Sequence, residues 1–130
     1  MTAGPASLLS DPEWPWRKAG LAVRLCANAQ EPRLIPRYLD LADDLGQLLQ
    51  GADWRIAAQS AALLLHTAAD RALPLHWRSL CADHLHRPLR QLSQHALAPA
   101  RALELRALHA QFAQLRLDPI SDLPALPDSP

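Results

Sequence analysis

The chain has 130 residues, of which 49% are hydrophobic, and it carries 13 basic and 13 acidic side chains. This length suits one domain with its own core, and a formal net charge of zero argues against generic nucleic-acid binding. Only six residues are Val, Ile or Thr, whereas Leu and Ala dominate, so the composition excludes a β-sheet and predicts an all-α fold. The longest run of large apolar residues, Leu63 to Leu65, is too short for a membrane span.

The chain is predicted to begin with an N-terminal extension over residues 1–15. Within it, Ser10 and Glu13 have the spacing of a capping box, which predicts a short helical turn. Trp14 and Trp16 follow, and we expect their rings to pack as a lid on a helical bundle.

Two amphipathic helices are predicted next, over residues 17–30 and 36–50. In the first helix the expected inward residues are Leu21, Leu25 and Cys26. In the second helix the apolar residues recur at steps of three and four, which is typical of a bundle seam. These seam residues are Ile35, Tyr38, Ala42, Leu45 and Leu49. Asp43 and Asp44 are interpreted as a solvated turn of this helix.

Asp53 to Leu73 is the most apolar long segment, and it is predicted to be the central helix. At about 100° per residue its polar side chains fall in one narrow stripe. The stripe consists of Arg55, Gln59, His66 and Asp70. Gly51 is expected to close the preceding helix and Asp53 to cap the central one, so the two helices are predicted to be antiparallel neighbours.

Two prolines, Pro74 and Pro99, introduce the last two predicted helices. The buried face of the first should contain six residues, Trp77, Cys81, Leu85, Leu89, Leu92 and Ala96. Because Pro88 falls on the core side, a kink or break is expected between His84 and Arg87. The second helix has its apolar residues at Leu105, Leu108, Phe112 and Leu115, and it is expected to close the bundle.

These elements predict a single-domain bundle of about five antiparallel helices over residues 16–117. Residues 118–130 differ in composition, because they contain four prolines and three aspartates. This pattern predicts a disordered acidic tail.

Positive charge concentrates in residues 54–116, where eight arginines oppose Asp70, Asp83 and Glu104, a formal charge of +5. We name one group of cations, His76, His86, Arg87 and Arg90, the basic face. It is either an ordinary solvated helix face or a docking site for an acidic peptide. The acidic tail of the chain is a second candidate occupant.

His66 lies on the polar stripe, with Asp70 one turn later. A helix-borne histidine in a bundle resembles the histidine phosphotransfer domain, and the resemblance covers residues 34–116 in architecture. It implies an imidazole that accepts a phosphoryl group from a response regulator. The family has a lysine and a glycine where this chain has Ala69 and Asp70, so the phosphoryl charge would lack its cation. The resemblance therefore implies a degenerate docking module, and the simpler interpretation is a surface histidine.

Arg71 and His76 have the Arg-x4-His spacing of the helical HEPN ribonucleases. The resemblance implies that arginine stabilises the charge on a scissile phosphate while imidazole transfers protons. Ala72 departs from the polar residue that usually follows the arginine, and Pro74 interrupts the helix.

The two cysteines, Cys26 and Cys81, are interpreted as free thiols, which suits a reducing cytoplasm. Cys81, His84 and His86 are residue types that bind zinc, but on a continuous helix His86 points away from the other two. We therefore predict no metal and no cofactor.

The sequence favours a non-catalytic function. We expect a cytoplasmic adaptor, chaperone-like or regulatory protein that binds an acidic or amphipathic protein segment through a bundle groove or the basic face. The ratio of twelve arginines to one lysine indicates a GC-rich, bacterial genome. The candidate binding residues are His66, Asp70, His76, His86, Arg87 and Arg90. A phosphotransfer-like module is the alternative, and a HEPN-like ribonuclease ranks third.

Overall fold

In a computed structural model of the chain, residues 11–117 are described, and they contain helices but no strand. Six helical segments follow one another, α1 Trp14–Arg24, α2 Leu34–Leu48, α3 Asp53–Ala69, α4 Leu75–His84, α5 His86–Gln94 and α6 Pro99–Ala113. If α4 and α5 are counted as one interrupted helix, there are five, and the predicted all-α bundle is confirmed. None of these helices has both the length and the hydropathy that crossing a bilayer requires. Ser10 and the predicted tail lie outside the described residues.

The helix α3 lies at the centre of the bundle. Nine of its 17 residues are buried, namely Ile56, Ala57, Ala58, Ser60, Ala61, Leu64, Leu65, Thr67 and Ala68. The small residues among them allow neighbouring helices to approach closely. The predicted polar stripe stays at the surface, since Arg55, Gln59 and His66 are exposed and Asp70 is half-buried.

Both ends of α3 differ from the prediction. At the start, the N-cap is Ala52, so the predicted cap at Asp53 is wrong by one residue, and Gly51 takes the left-handed conformation at φ 86°. At the other end, α3 stops at Ala69 instead of Leu73. Asp70 leaves the helix because its carboxylate accepts the backbone N–H of Ala72 at 3.0 Å, a local bond that competes with helix propagation.

The predicted orientation of α1 is wrong. Leu21 and Leu25, which were expected to face inward, keep 54% and 67% of their surface exposed. The inward positions belong to Trp16, Gly20 and Val23, all of which are buried. Gly20 permits this orientation because a Cβ there would lie 2.9 Å from Tyr38 Cε1. The helix also begins at Trp14 and ends at Arg24, so Cys26 lies beyond it at φ 51°.

The predicted break near Pro88 is confirmed at Leu85. A new helix begins at His86, which places Pro88 in its first turn, where the missing backbone N–H costs little. The predicted inward residues Trp77, Cys81, Leu85, Leu89 and Leu92 are buried, whereas Ala96 is only half-buried. Along α6 only Leu108 is buried, so this helix covers the bundle more loosely than the others do.

A buried arginine, Arg78, attaches α6 to the centre of the bundle. Its Nε donates to the Ala68 carbonyl at 2.8 Å, and its Nη2 donates to the Arg116 carbonyl at 3.0 Å. Ala68 lies in the last turn of α3, where backbone carbonyls lack helical partners and a cation is favourable. The arginine therefore caps α3 and fixes the chain that follows α6.

Candidate protein-binding surface

The helix α1 carries apolar side chains on two opposite sides. One side faces the core, and the other presents Trp14 and Leu21, with Leu25 following at the C-cap, at steps of seven and four residues. At about 100° per residue these three side chains form one row, which we call the α1 row. Single exposed leucines are common on protein surfaces, but an aligned set beside a groove indicates an interaction site.

A groove of about 360 Å³ lies beside this row, between α1 and α3, and we call it the α1–α3 groove. Its lining consists of Trp14, Trp16, Arg17, Gly20, Leu21, Tyr38, Gln59 and Leu63. Two ion pairs show that α1 and α3 run parallel to each other along the groove. Glu13 pairs with Arg55 at one end, and Arg24 pairs with Asp70 at the other. The groove therefore runs along both helix axes.

The floor of the groove is held by specific contacts. The rings of Trp16 and Tyr38 lie parallel, with an interplanar angle of 2° and centroids 6.2 Å apart. The Trp16 indole Nε1 donates to the buried Ser60 hydroxyl at 3.2 Å. Because a buried indole N–H without a partner is unfavourable, this bond fixes the orientation of the ring. The floor is consequently formed before any ligand arrives.

The rim of the groove is positively charged. Glu13 accepts from Arg17 at 2.6 Å and from Arg55 at 2.7 Å, and Arg24 donates to Asp70 at 2.8 Å. The hydrogen bond from Arg55, together with that from Arg17, lowers the pKa of Glu13 below its ordinary value. The bond from Arg24 and the backbone N–H of Ala72 lower the pKa of Asp70. Both carboxylates are therefore ionised at neutral pH.

The basic face has a different character, because its central cation is paired within the chain. The Arg87 guanidinium donates to Asp40 at 2.7 Å and to Asp43 at 2.6 Å, and the Gln91 amide also donates to Asp43 at 3.1 Å. Asp43 is thus part of an interhelical network rather than a solvated turn. This network forms one wall of a cleft of about 270 Å³ between α2, α3 and α5.

The other residues of the basic face lie apart from one another. His76 Nε2 is 3.2 Å from the Ala29 carbonyl in the link between α1 and α2. His86 Nδ1 is 2.7 Å from the carbonyl of Asp83, one turn earlier. Since a carbonyl oxygen only accepts, each of these ring nitrogens is a donor. Arg90 is exposed on α5.

His66 and Arg71 line a shallow cavity of about 330 Å³ near the C-terminal end of α3. Arg116 and Gln111 contribute to the same cavity, whereas Asp70 turns to Arg24 on α1. The fold thus brings His66 and Arg71 together. Arg71 lies in the turn before α4 and His76 lies in its first turn, so the two residues of the ribonuclease-like spacing are not on one continuous helix.

The thiol and imidazole groups of α4 do not form a ligand cluster. Within residues 11–117, no three His, Cys, Asp or Glu side chains are placed to hold a metal ion. Burial raises the pKa of the Cys81 thiol to about 12, so this sulfur is protonated at neutral pH. Burial is also the main cause that lowers the pKa of His84.

Sequence reasoning missed the α1–α3 groove, although a signal for it exists. Trp16, Gly20 and Val23 follow one another at steps of four and three, which marks an alternative inward face of α1. The helix predicted over residues 17–30 leaves Trp16 out of this pattern, whereas Pro15 occupies the first turn of α1 and Trp16 lies within the helix.

Comparisons with known proteins found no match, since no family model, curated protein or solved structure is significantly similar to this chain. Arguments about function therefore depend on its surfaces.

Proposed function

We propose that this chain is a non-catalytic protein-binding module of the bacterial cytoplasm, and that it binds its partner in the α1–α3 groove. The observation that carries the proposal is the α1 row beside a groove with a fixed aromatic floor. Aromatic and leucine side chains in such a position supply apolar contact area. A floor that is already ordered reduces the entropy lost on binding.

Exposed apolar area favours this surface over the basic face. A partner that docks against Arg87 must compete with Asp40 and Asp43, which already hold the guanidinium. The α1 row presents no such competition, because Leu21 and Leu25 have large exposed apolar surfaces. Covering them removes apolar area from water, which favours association.

A matched pair of substitutions tests the proposal. Leu21 on α1 and Leu103 on α6 are exposed to a similar extent, 54% and 64%, so each is changed to asparagine in the full chain. A partner is first captured from the source cells, and its affinity for each variant is then measured by calorimetry. Leu21→Asn should weaken binding about tenfold, the effect of a moderate interface contact, and Leu103→Asn should change it less than twofold. Equal affinities for the two variants would remove the groove from the interface.

A phosphotransfer-like signalling role is the second candidate. It is favoured by the cavity that His66 shares with Arg71 and Arg116, because these arginines are cations of the kind missing at Ala69. The test is incubation with a radiolabelled phosphorylated response regulator. Label that appears on the chain and is lost in His66→Gln would support phosphotransfer, while an unlabelled chain would leave the non-catalytic proposal in place.

A further inference from the structure

We propose that the partner segment in the α1–α3 groove is an amphipathic helix whose apolar stripe is flanked by acidic side chains. This inference rests on the proposed function, because it specifies the chemistry of the occupant of the same groove. Three properties of the groove carry it, namely its walls, its length and its charge.

The walls favour a helix over an extended peptide. Both α1 and α3 are regular helices, so the backbone N–H and C=O groups along the groove are already bonded within them. An extended peptide would find no row of backbone partners there, in contrast to one that adds to a sheet edge. A helical segment satisfies its own backbone and can pack its side-chain ridges between those of α1 and α3.

The length of the α1 row matches three turns of a helix. From Trp14 to Leu25, the C-cap residue of α1, the row covers eleven residue steps, which is about 16 Å at the rise of an α-helix. A partner helix with apolar residues at i, i+4, i+7 and i+11 presents a stripe of the same length. Such a stripe can contact Trp14 and Leu21 within the groove and extend to Leu25 beyond its lining.

Charge complementarity makes the partner acidic. The α1 row is flanked by Arg17 on the groove side and by Lys18 on the other side. Arg24 and Arg55 add two more cations along the rim, against the two carboxylates of Glu13 and Asp70. Four cations and two carboxylates leave a local charge of +2. Because Arg17, Arg24 and Arg55 are already paired with Glu13 and Asp70, glutamates beside the partner's apolar stripe would respond to the net charge through long-range attraction, which accelerates association without displacing those pairs.

The same features argue against other occupants. A second copy of the chain would place one +2 surface against another. A flat anionic bilayer fits a concave groove poorly. Residues 118–130 are acidic and contain leucines, but their four prolines are incompatible with a helix three turns long.

A displayed library of helical peptides of about 20 residues, long enough to hold helical structure, provides the probe. Selection is carried out on the full chain, with counter-selection on Leu21→Asn. A selected peptide is then synthesised with its flanking acidic residues retained, changed to glutamine or changed to lysine. The acidic form should bind at least tenfold more tightly than the lysine form and should lose affinity as salt increases.

A double charge variant tests whether cations beside the groove cause this difference in peptide affinity. Arg17→Gln with Lys18→Gln should weaken the acidic peptide several-fold and leave the glutamine peptide unchanged. The matched control, Arg90→Gln with Arg106→Gln on α5 and α6, should affect neither peptide.

Some results would refute only the acidic helix as the occupant, and another would also refute the groove as a binding site. Equal affinity for the three peptide forms, or selection of non-helical sequences, would refute the acidic helix and leave the groove as a binding site. Leucine-dependent binding to anionic vesicles in place of peptides would assign the groove to a membrane surface. A rise in peptide affinity on deletion of residues 118–130 would assign it to the chain's own segment. If Leu21→Asn also leaves the captured partner's affinity unchanged, both proposals fail.

Discussion

The two sides of this bundle present different kinds of side chain at the surface. On the side of α2 and α5, Arg87 and Gln91 have partners within the chain in Asp40 and Asp43. On the side of α1, Leu21 and Leu25 face solvent. The comparison shows that a group of cations in a sequence is weak evidence for a binding site, because carboxylates elsewhere in the chain can neutralise it. An apolar row that the fold leaves exposed is stronger evidence.

The largest predicted effect comes from replacing two tryptophans, one in the core and one at the groove. Trp77 is fully buried and its indole Nε1 donates to the Val23 carbonyl at 2.9 Å, whereas Trp14 is half-buried at the groove. Trp77→Ala should lower the free energy of unfolding by about 3–5 kcal/mol, since it leaves a cavity and removes the buried hydrogen bond from the indole to the Val23 carbonyl. Trp14→Ala should lower it by less than about 1 kcal/mol.

Urea denaturation followed by circular dichroism measures both values. A loss of stability in Trp14→Ala as large as in Trp77→Ala would mean that the α1 row is structural.

A second prediction concerns the paired cation of the basic face. Arg87→Ala leaves Asp40 and Asp43 close together without their shared cation, so it should destabilise the chain by about 1 kcal/mol at low salt. The matched variant Arg90→Ala on the same helix should cost less than about 0.5 kcal/mol. The difference should shrink in high salt, because salt screens exposed charges. Equal effects at low salt would indicate that the ion pair contributes nothing.

The two sides should also lose stability in different pH ranges. The pKa of His84, beside the basic face, is lowered mainly by burial, so the unfolded chain takes up that proton first and stability declines as pH falls below about 6.5. The pKa values of Glu13 and Asp70 are lowered from ordinary values of 4.5 and 3.8 by their arginine partners. Their contribution is present above these values and is lost as pH falls through the lower folded values.

Thermal unfolding as a function of pH measures both ranges. His84→Gln should remove the decline near pH 6, and Glu13→Gln with Asp70→Asn should reduce the decline below about pH 4.5. The assignment would be wrong if His84→Gln altered only the acidic range.

Much of the fold could be predicted from the sequence because its signals are local. The narrow polar stripe identified α3 as the central helix, and Pro88 on the core side predicted the break at Leu85. The end of α3 was harder to predict because the Asp70 carboxylate, besides accepting the Ala72 N–H that ends the helix, is held by Arg24, which is 46 residues away. Local patterns do not reveal such partners.

The candidate site was harder to predict for two reasons. The helix α1 has two apolar sides, and the side that faces the core is the one on which Gly20 lets Tyr38 approach closely. In addition, the partner of Arg87 is 44 residues away at Asp43, so sequence alone suggested an available cation. Both features depend on tertiary packing.

The chain's four tryptophans provide the most direct test of the central claim, that the α1–α3 groove binds an acidic amphipathic helix. Indole N–H resonances can be followed by NMR while the selected acidic peptide is added to the full chain. Trp14 and Trp16 line the groove, whereas the Trp54 indole donates to Glu104 near α6 and the Trp77 indole is buried beneath α1. The account predicts shifts of the Trp14 and Trp16 resonances with Trp54 and Trp77 nearly unchanged. Shifts confined to Trp54 or Trp77 would contradict it.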